Sequence, residues 1–600
     1  MAPLISPIEA QKPQDGKQDD RVHHGGRSSV AALPLVGDVG LLAFLDDVKS
    51  HTMTKTVERV DAADCVLFLT DRHCYKLRRE MPLEQTHRLS LVQRRERALE
   101  EIKLGKSFAP DLYLGLVPVR LREDGPYIDH AAAEDGSNRS VRMAGTNTDP
   151  VIEWLIKMRR YDVSKSLSKS VEIYRPNFTE CHKLADLIAK SPEAAQSVNY
   201  QKADVWQQHL AQMLARFSPV VRQMEQKTKK QTLRACLNRA LYRLGALQPH
   251  LEDRSKGGLF VEIHGNVGLE NVVQTPKGLR LVNPAVGQIE SSSQAWFGDP
   301  LYDLASLVAE MRARGLNRQA NWVFSHYCNN LLDSHAVDGL QAMDLYLFVS
   351  AFEKARQLSE LLSVRSSGNS EEEEQFRGYM QTARDSLVQD EAKLLVLGGS
   401  TQANRSHLAR LLAPIIGRMP GAAYMSAYQE LLSLYDVRHE SDLPPSAHRR
   451  SVWHLVYRRL ATKAQMALEA GYSVILSGAF DSPSSRQNLT LLQQEVGPSI
   501  QLQAFHLFDP VGEQKASGHG ERVQPFIRDL EHHSRAVAGK PPFEDSLSRD
   551  SNLILGSAGE KLDWTNWVEL DASRSVSMLV DQVLGHINPV WVPSTEGTLH

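Results

Sequence analysis

The chain has 600 residues, more than one hydrophobic core usually serves, so two or three domains are expected. Its 69 Lys and Arg stand against 72 Asp and Glu, and this balance excludes an overall field that would draw the chain onto nucleic acid or an anionic membrane. Five scattered cysteines with no CxxC pair exclude a disulfide framework and a cysteine zinc site. With no apolar run long enough to cross a bilayer, a cytoplasmic setting is expected.

Residues 1–33 are polar and poor in material to bury, which predicts a flexible tail. VLFLTDRHCYKLRRE (66–80) reads as two strands around a turn at Asp71 and Arg72, and LSLVQRRERALEEIKLGKSF (89–108) has helical spacing and should end near Gly105. LYLGLVPVRLR (112–122) alternates like a strand. A polar stretch to residue 149 separates it from a strand or hinge at VIEWLIKMRRY (151–161). The pattern is mainly helical from about 162 to 250, turns to short strands and loops over 258–287, and returns to helix at YDLASLVAEMRARG (302–315). Residues 340–390 read as a helical close, interrupted by SSGNSEEEE (366–374), whose acidic run is expected to be a solvated loop.

A domain boundary is expected near 388–392. Beyond it, KLLVLGGSTQANRSHLARLLAPIIG (393–417) reads as strand, glycine-rich turn and helix. Further strands are expected in YSVILSGAF (472–480), IQLQAFHLFD (500–509) and NWVELDAS (566–573), separated by helical segments. That alternation predicts a parallel α/β sheet, and no short repeat points to a solenoid.

Two stretches are laid out like phosphate-handling sites. In HGNVGLEN, His264, Gly265, Asn266 and Asn271 fall on a loop after a strand, and Asn283 closes the next strand, LRLVN. Kinase-type sites place an Asp in this loop to take the hydroxyl proton, an Asn at its end to bind magnesium, and a later Asp to bridge metal and phosphates. Both Asp positions hold Asn, at 266 and 283. Upstream, Lys76 on a strand and Glu101 on the following helix have the placement of a phosphate-binding Lys and its carboxylate partner.

Residues 40–390 resemble the aminoglycoside-phosphotransferase-like domain of bacterial two-domain proteins that pair such a domain with an ATP-binding one. The likeness is carried by FLTDRHCYKLRR, EEIKLGKSFAPDLYLG, IKMRRY, HGNVGLENVV and LVNP, and by Asp299 and Asp303 in GDPLYDLA. It implies a protein-kinase-like fold with Lys76 on ATP and a metal held by Asn271 and the residue at 283. The departures are chemical: Asn266 stands where the catalytic Asp is expected, Gly268 where the loop His is, and Asn283 where the metal Asp is. A carboxamide is no general base and brings no charge to hold Mg²⁺.

The second stretch, GSTQANRS (399–406), has the setting of a P-loop, in which backbone N–H groups and a Lys cradle phosphates. Gly399 and Ser406 match the pattern, while Asn404 and Arg405 replace its Gly and Lys. LLVLGGSTQANRSHLARLLAP and LEAGYSVILSGAF (468–480) resemble the family's second, P-loop module, with Ser477 where its strand carries an acid. Asp481 is expected to cap the next helix. Lys515, Arg522 and Arg528 lie where a lid would bring charge and are read as solvated.

The expected class is therefore α/β and α+β: a tail at 1–33, a protein-kinase-like fold at 34–390, and a P-loop kinase-like parallel α/β sandwich at 391–600. Three functions stay open. One is a catalytically degenerate pseudoenzyme with a regulatory, scaffolding or nucleotide-binding role, binding ATP and Mg²⁺ weakly or not at all. The others are an active ATP-dependent phosphotransferase on a hydroxyl-bearing small molecule, and an interaction module for an unidentified protein partner. Loss of a general base typically lowers rate by ~10²–10⁴-fold, which favours the first.

Overall fold

The structure is a computed structural model that describes residues 39–62, 65–79, 89–134, 148–163, 166–169, 175–189, 203–228, 232–286, 297–330, 337–364, 370–399, 402–500, 502–508 and 567–588. The tail at 1–33 and Lys515, Arg522 and Arg528 lie outside these.

Helix α1 (Val39–Asp46) precedes strands β1 (Glu58–Asp61), β2 (Cys65–Leu69) and β3 (His73–Arg78). Helix α2 (Leu91–Phe108) follows, then β4 (Tyr113–Arg122), β5 (Gly125–Ile128) and β6 (Val151–Arg159). These strands form an antiparallel sheet in the order β1-β2-β3-β6-β4-β5. Every residue of β2, CVLFL, is buried because both faces are covered. Cys74, Leu67 and Ile156 pack with Ala98 and Ile102 of α2 on one face; Tyr75, Phe68 and Leu155 pack with Leu45 of α1 on the other. The alternation puts Lys76 on the α2 side.

Helix α2 opens on a capping box. Ser90 Oγ accepts from Gln93 N (3.2 Å), while Gln93 Oε1 accepts from Ser90 N (2.9 Å). It runs to Phe108, a turn's fraction beyond the expected stop at Gly105.

A helical lobe follows: α3 (Phe178–Ala189), α4 (Ala203–Thr228), α5 (Thr232–Lys256), α6 (Leu301–Ala313), α7 (Asn317–Asn330), α8 (Met343–Val364) and α9 (Ser370–Ser386). Between α5 and α6 lie short strands β7 (Val261–Glu262), β8 (Val272–Thr275), β9 (Gly278–Leu281) and β10 (Phe297–Gly298). The acidic run expected as a loop is helical from Ser370. Glu371, Glu372 and Glu373 fill the first turn of α9, where carboxylates complement the positive end of the helix.

From Leu394 the chain builds a parallel sheet from β11 (Leu394–Gly399), β12 (Ala423–Ser426), β13 (Val474–Ser477), β14 (Leu502–Phe508) and β15 (Val568–Asp571), in the order β12-β13-β11-β14-β15. Helices α10 (Gln402–Leu412), α11 (Ala427–Leu434), α12 (Arg450–Glu469), α13 (Pro483–Val496) and α14 (Val576–Ile587) accompany it. Strand β12 is unannounced by the pattern, its AYMS being too short to show a period. The cap that the sequence assigns to Asp481 belongs to Ser482, whose Oγ accepts from Ser485 N (3.2 Å). A hydroxyl one residue nearer the helix reaches that N–H.

Apolar packing runs across the change of pattern near 388–392. One cluster includes Phe324 and Tyr327 of α7 together with Val396, Met425 and Leu460. Along the β12 edge, α7 supplies side chains at a helical spacing of four. Asn321 Nδ2 donates to Ala422 O (2.9 Å), Tyr424 N donates to Ser325 Oγ (3.1 Å), Asn329 Nδ2 donates to Tyr424 O (2.7 Å), and Ser426 N donates to Asn329 Oδ1 (3.2 Å). All three side chains are buried, so the helix satisfies a strand edge that would otherwise invite pairing. Asn329→Leu should strand a buried carbonyl and N–H and cost about 2–4 kcal/mol. A denaturant midpoint equal to the parent's would show that the edge does not depend on Asn329.

Candidate functional site

The cleft between the antiparallel sheet and the helical lobe has a volume of about 1090 Å³. Its lining includes an apolar slot of Val60, Leu67, Ile156, Met158, Val273 and Val282, and also Lys76, Asn266, Asn271 and Asn283.

Lys76 Nζ donates to Glu101 Oε1 (2.6 Å) and to Oδ1 of Asn283. Arg78 Nε donates to Glu101 Oε2 (2.6 Å). Burial pushes the Glu101 pKa up, but the charges and hydrogen bonds of Arg78 and Lys76 outweigh it and hold the carboxyl below its ordinary range. Tyr113, on β4, accepts from Asn283 N through its hydroxyl (3.0 Å) and lies 3.5 Å from Glu101 Oε1.

The loop carrying Asn266 is hung from α6. Asp303 Oδ2 accepts from His264 N and Oδ1 from Gly265 N, each at 2.8 Å. Burial drives Asp303 up to about 7 despite these two donors. His264 is fully buried with Nε2 3.1 Å from the Val282 carbonyl, and desolvation takes its pKa down to about 3.

The folded state holds His264 neutral, so its contribution is complete above the unfolded value near 6.5 and is lost as pH falls from there toward 3. The loss approaches ~1.4 kcal/mol per pH unit. Melting curves between pH 7 and 4.5 should therefore show a shallower acid loss in His264→Gln than in the parent; parallel curves would rule this out.

Gly268 explains one departure from the expected pattern. A Cβ there would stand 2.5 Å from Glu310 Oε2, which accepts from Leu269 N (2.8 Å), so a histidine at 268 would displace the carboxylate that shapes the loop.

Three carboxamides close the site. Asn266 Nδ2 donates to the Asn283 carbonyl (3.0 Å), Asn271 Nδ2 to the Asn266 carbonyl (2.8 Å), and Asn283 Nδ2 points at Asn271 Oδ1 at 3.5 Å. The orientation of Asn283 follows from its partner. A lysine ammonium has only donors, so Oδ1 must face Lys76 and the NH₂ must face Asn271. Where a metal-bridging carboxylate would offer an oxygen, this side chain offers hydrogens. Asn283 holds φ +60, which an asparagine tolerates better than most residues. Among the described residues no cluster of three or more His, Cys, Asp or Glu is placed to hold a metal ion. The donor set does not fit Mg²⁺.

Sequence reasoning misses Lys354, on α8, which donates to Glu270 Oε1 (2.7 Å) and reaches Asn266 Oδ1 (3.3 Å). It sits in AFEKARQ, which carries no motif.

The other sequence candidates gather separately, where β11 meets α10. Gly399 ends the strand at φ +106, with the Leu507 backbone against the space a Cβ would take. Arg405 is buried and turns back, its Nη1 donating to the Gly399 carbonyl. Asn404 Nδ2 donates to Ala572 O (3.2 Å), and Ser406 Oγ accepts from Tyr424 OH (3.1 Å). Ser477 is buried at the end of β13. Ser406 also lines a cavity of about 220 Å³ with Tyr424, Arg410, Trp322, His182 and His326.

No protein-family model matches the chain, and no curated protein does. Solved structures similar to it include an ethanolamine kinase of Plasmodium vivax (TM-score 0.32, 11% identity, 57% of this chain and 84% of that one). A choline/ethanolamine kinase family protein from Mesorhizobium loti gives 0.30 and 10%, over 57% and 91%. A glucosamine kinase gives 0.26 and 11%, over 58% and 82%.

Proposed function

We propose that the chain is a kinase-like protein that binds a nucleotide in the large cleft and does not transfer its phosphoryl group, acting through its bound state as a regulatory or scaffolding component. The observation that carries this is the Asn283 carboxamide, turned by Lys76 so that an N–H, not an oxygen, faces Asn271. An apolar slot suits a flat base, and Lys76, positioned by a buried carboxylate, suits an anion. Asn266 offers no base for a hydroxyl proton, and its amide is already engaged with the Asn283 carbonyl and Lys354.

The second half is proposed to be P-loop-like. In its support, β11 is central, its neighbours β13 and β14 lie on opposite sides, and chain order reverses there, the place where open parallel sheets usually take ligands. The Arg405 guanidinium turned onto the Gly399 carbonyl favours a remnant over a working phosphate cradle. A cytoplasmic setting and an unidentified protein partner belong to the same proposal.

A thermal-shift titration of the whole chain with ATP, paired with an assay for phosphate release, tests the reading. Stabilisation of about 2.7 kcal/mol at a hundredfold excess over Kd is expected, with no release above buffer. Sustained turnover by the parent protein would overturn it.

A further inference from the structure

In a metal-dependent kinase cleft, acids and divalent cations share the work of holding phosphates. Here two ammonium groups meet one carboxamide network from opposite ends. Lys76 Nζ is on Asn283 Oδ1, and Lys354 Nζ is 3.3 Å from Asn266 Oδ1. Asn266 and Asn283 are themselves joined by the bond from Nδ2 of the first to the carbonyl of the second (3.0 Å). Both lysines line the same cleft as the apolar slot.

We infer that Lys76 and Lys354 together hold the phosphate chain of a polyphosphate anion free of metal, such as uncomplexed ATP, with Lys354 bringing positive charge from the Asn266 side. The choice of ATP rests on the nucleotide reading above; the lysine pair does not.

The formal charges decide the sign of the metal effect. Lys76 and Arg78 against Glu101 give +1, and Lys354 and Arg314 against Glu270 and Glu310 add zero. With acids at 266 and 283 the same groups would total −1, from +1 and two carboxylates, and a polyanion would need added cations to enter. As it stands the site attracts the anion unaided. Mg²⁺ would compete for the same phosphates and gain no carboxylate at 266 or 283 in return. Glu270 is about half exposed at 48%, so a polyanion can compete with its carboxylate for the more buried Lys354.

Calorimetric titration of the whole chain with ATP, and separately with inorganic tripolyphosphate, in EDTA and in excess Mg²⁺, tests this with parent, K354Q, K354R and E270Q proteins. ATP should bind in EDTA and bind severalfold more weakly in Mg²⁺. K354Q should lose about tenfold in affinity, as expected for one charge-assisted hydrogen bond. K354R should stay near the parent, and E270Q, which removes the competing carboxylate, should bind more tightly. Affinity raised by Mg²⁺, or unchanged in K354Q, overturns the lysine pair and leaves the nucleotide reading standing. Tripolyphosphate bound as tightly as ATP keeps the pair and removes the nucleotide. No binding of either anion under either condition removes both. Equal loss in K354Q and K354R with a lowered melting temperature would make Lys354 a structural tie between α8 and the loop, and overturn the inference.

Discussion

Replacing Asn266 and Asn283 together by aspartate is expected to create magnesium-dependent ATP turnover where the parent has little or none. At 283 the change swaps an N–H for an anionic oxygen facing Asn271 Oδ1, so two oxygens converge where the parent has a donor and an acceptor. Lys76 already stabilises an oxygen at this position and would pair more strongly with a charged one. At 266 the new carboxylate can take a hydroxyl proton, a role worth ~10²–10⁴-fold when well placed. Lys354, 3.3 Å from the Oδ1 that the change keeps, will hold that carboxylate ionised but weaken it as a base, and the new oxygen replaces an N–H that faces the Asn283 carbonyl, so a gain toward the lower end is expected. The measurement is phosphate release with and without Mg²⁺. A double variant that folds, binds ATP and shows no gain would mean that more of the cleft than these two residues departs from a working site.

Asp299→Ala is expected to bring the largest loss of stability. Arg254 Nε and Nη2 donate to Asp299 Oδ2 (2.9 Å) and Oδ1 (3.0 Å), Leu301 N donates to Oδ1 (3.1 Å), and Tyr346 OH donates to Oδ2 (3.3 Å). Both charged groups are buried, Asp299 completely. Removing one partner leaves an uncompensated guanidinium in the core, about 3–5 kcal/mol. Because Asp299 secures the start of α6, and Asp303 one turn later holds the His264 and Gly265 N–H groups, the loop of the candidate site should loosen as well. Arg254→Met combined with Asp299→Leu should lose less than Asp299→Ala alone, since no charge is then left buried. A melting midpoint for Asp299→Ala within a degree or so of the parent's would refute the cost.

Much of the candidate site is legible in local pattern. The alternation of His73–Arg78 and the helical spacing of Leu91–Phe108 suffice to bring Lys76 toward Glu101, because a strand and the helix packed on it have few ways to meet. The parallel strands β11, β13, β14 and β15 are visible for the same reason: buried apolar runs alternate with helical stretches. The acidic run that opens α9 misleads, since charge density predicts solvation but does not tell a loop from the first turn of a helix. At Asp481 and Ser482, two adjacent capping residues compete, and only the path of the chain selects the second.

By itself, then, the sequence determined which residue types stand at each site: neutral carboxamides at 266 and 283, and arginine at 405 where a lysine is expected. Only the tertiary structure decided what those residues do. The Asn283 amide is oriented by a lysine 207 positions away, Lys354 arrives at Asn266 from 88 positions away, and the edge of β12 is satisfied by α7. The physical reason is the range of the forces. Periodicity and capping act between neighbours in the chain and can be read along it. The direction of a carboxamide, the charge of a cleft and the fate of a strand edge depend on donors and acceptors that meet only when distant segments pack.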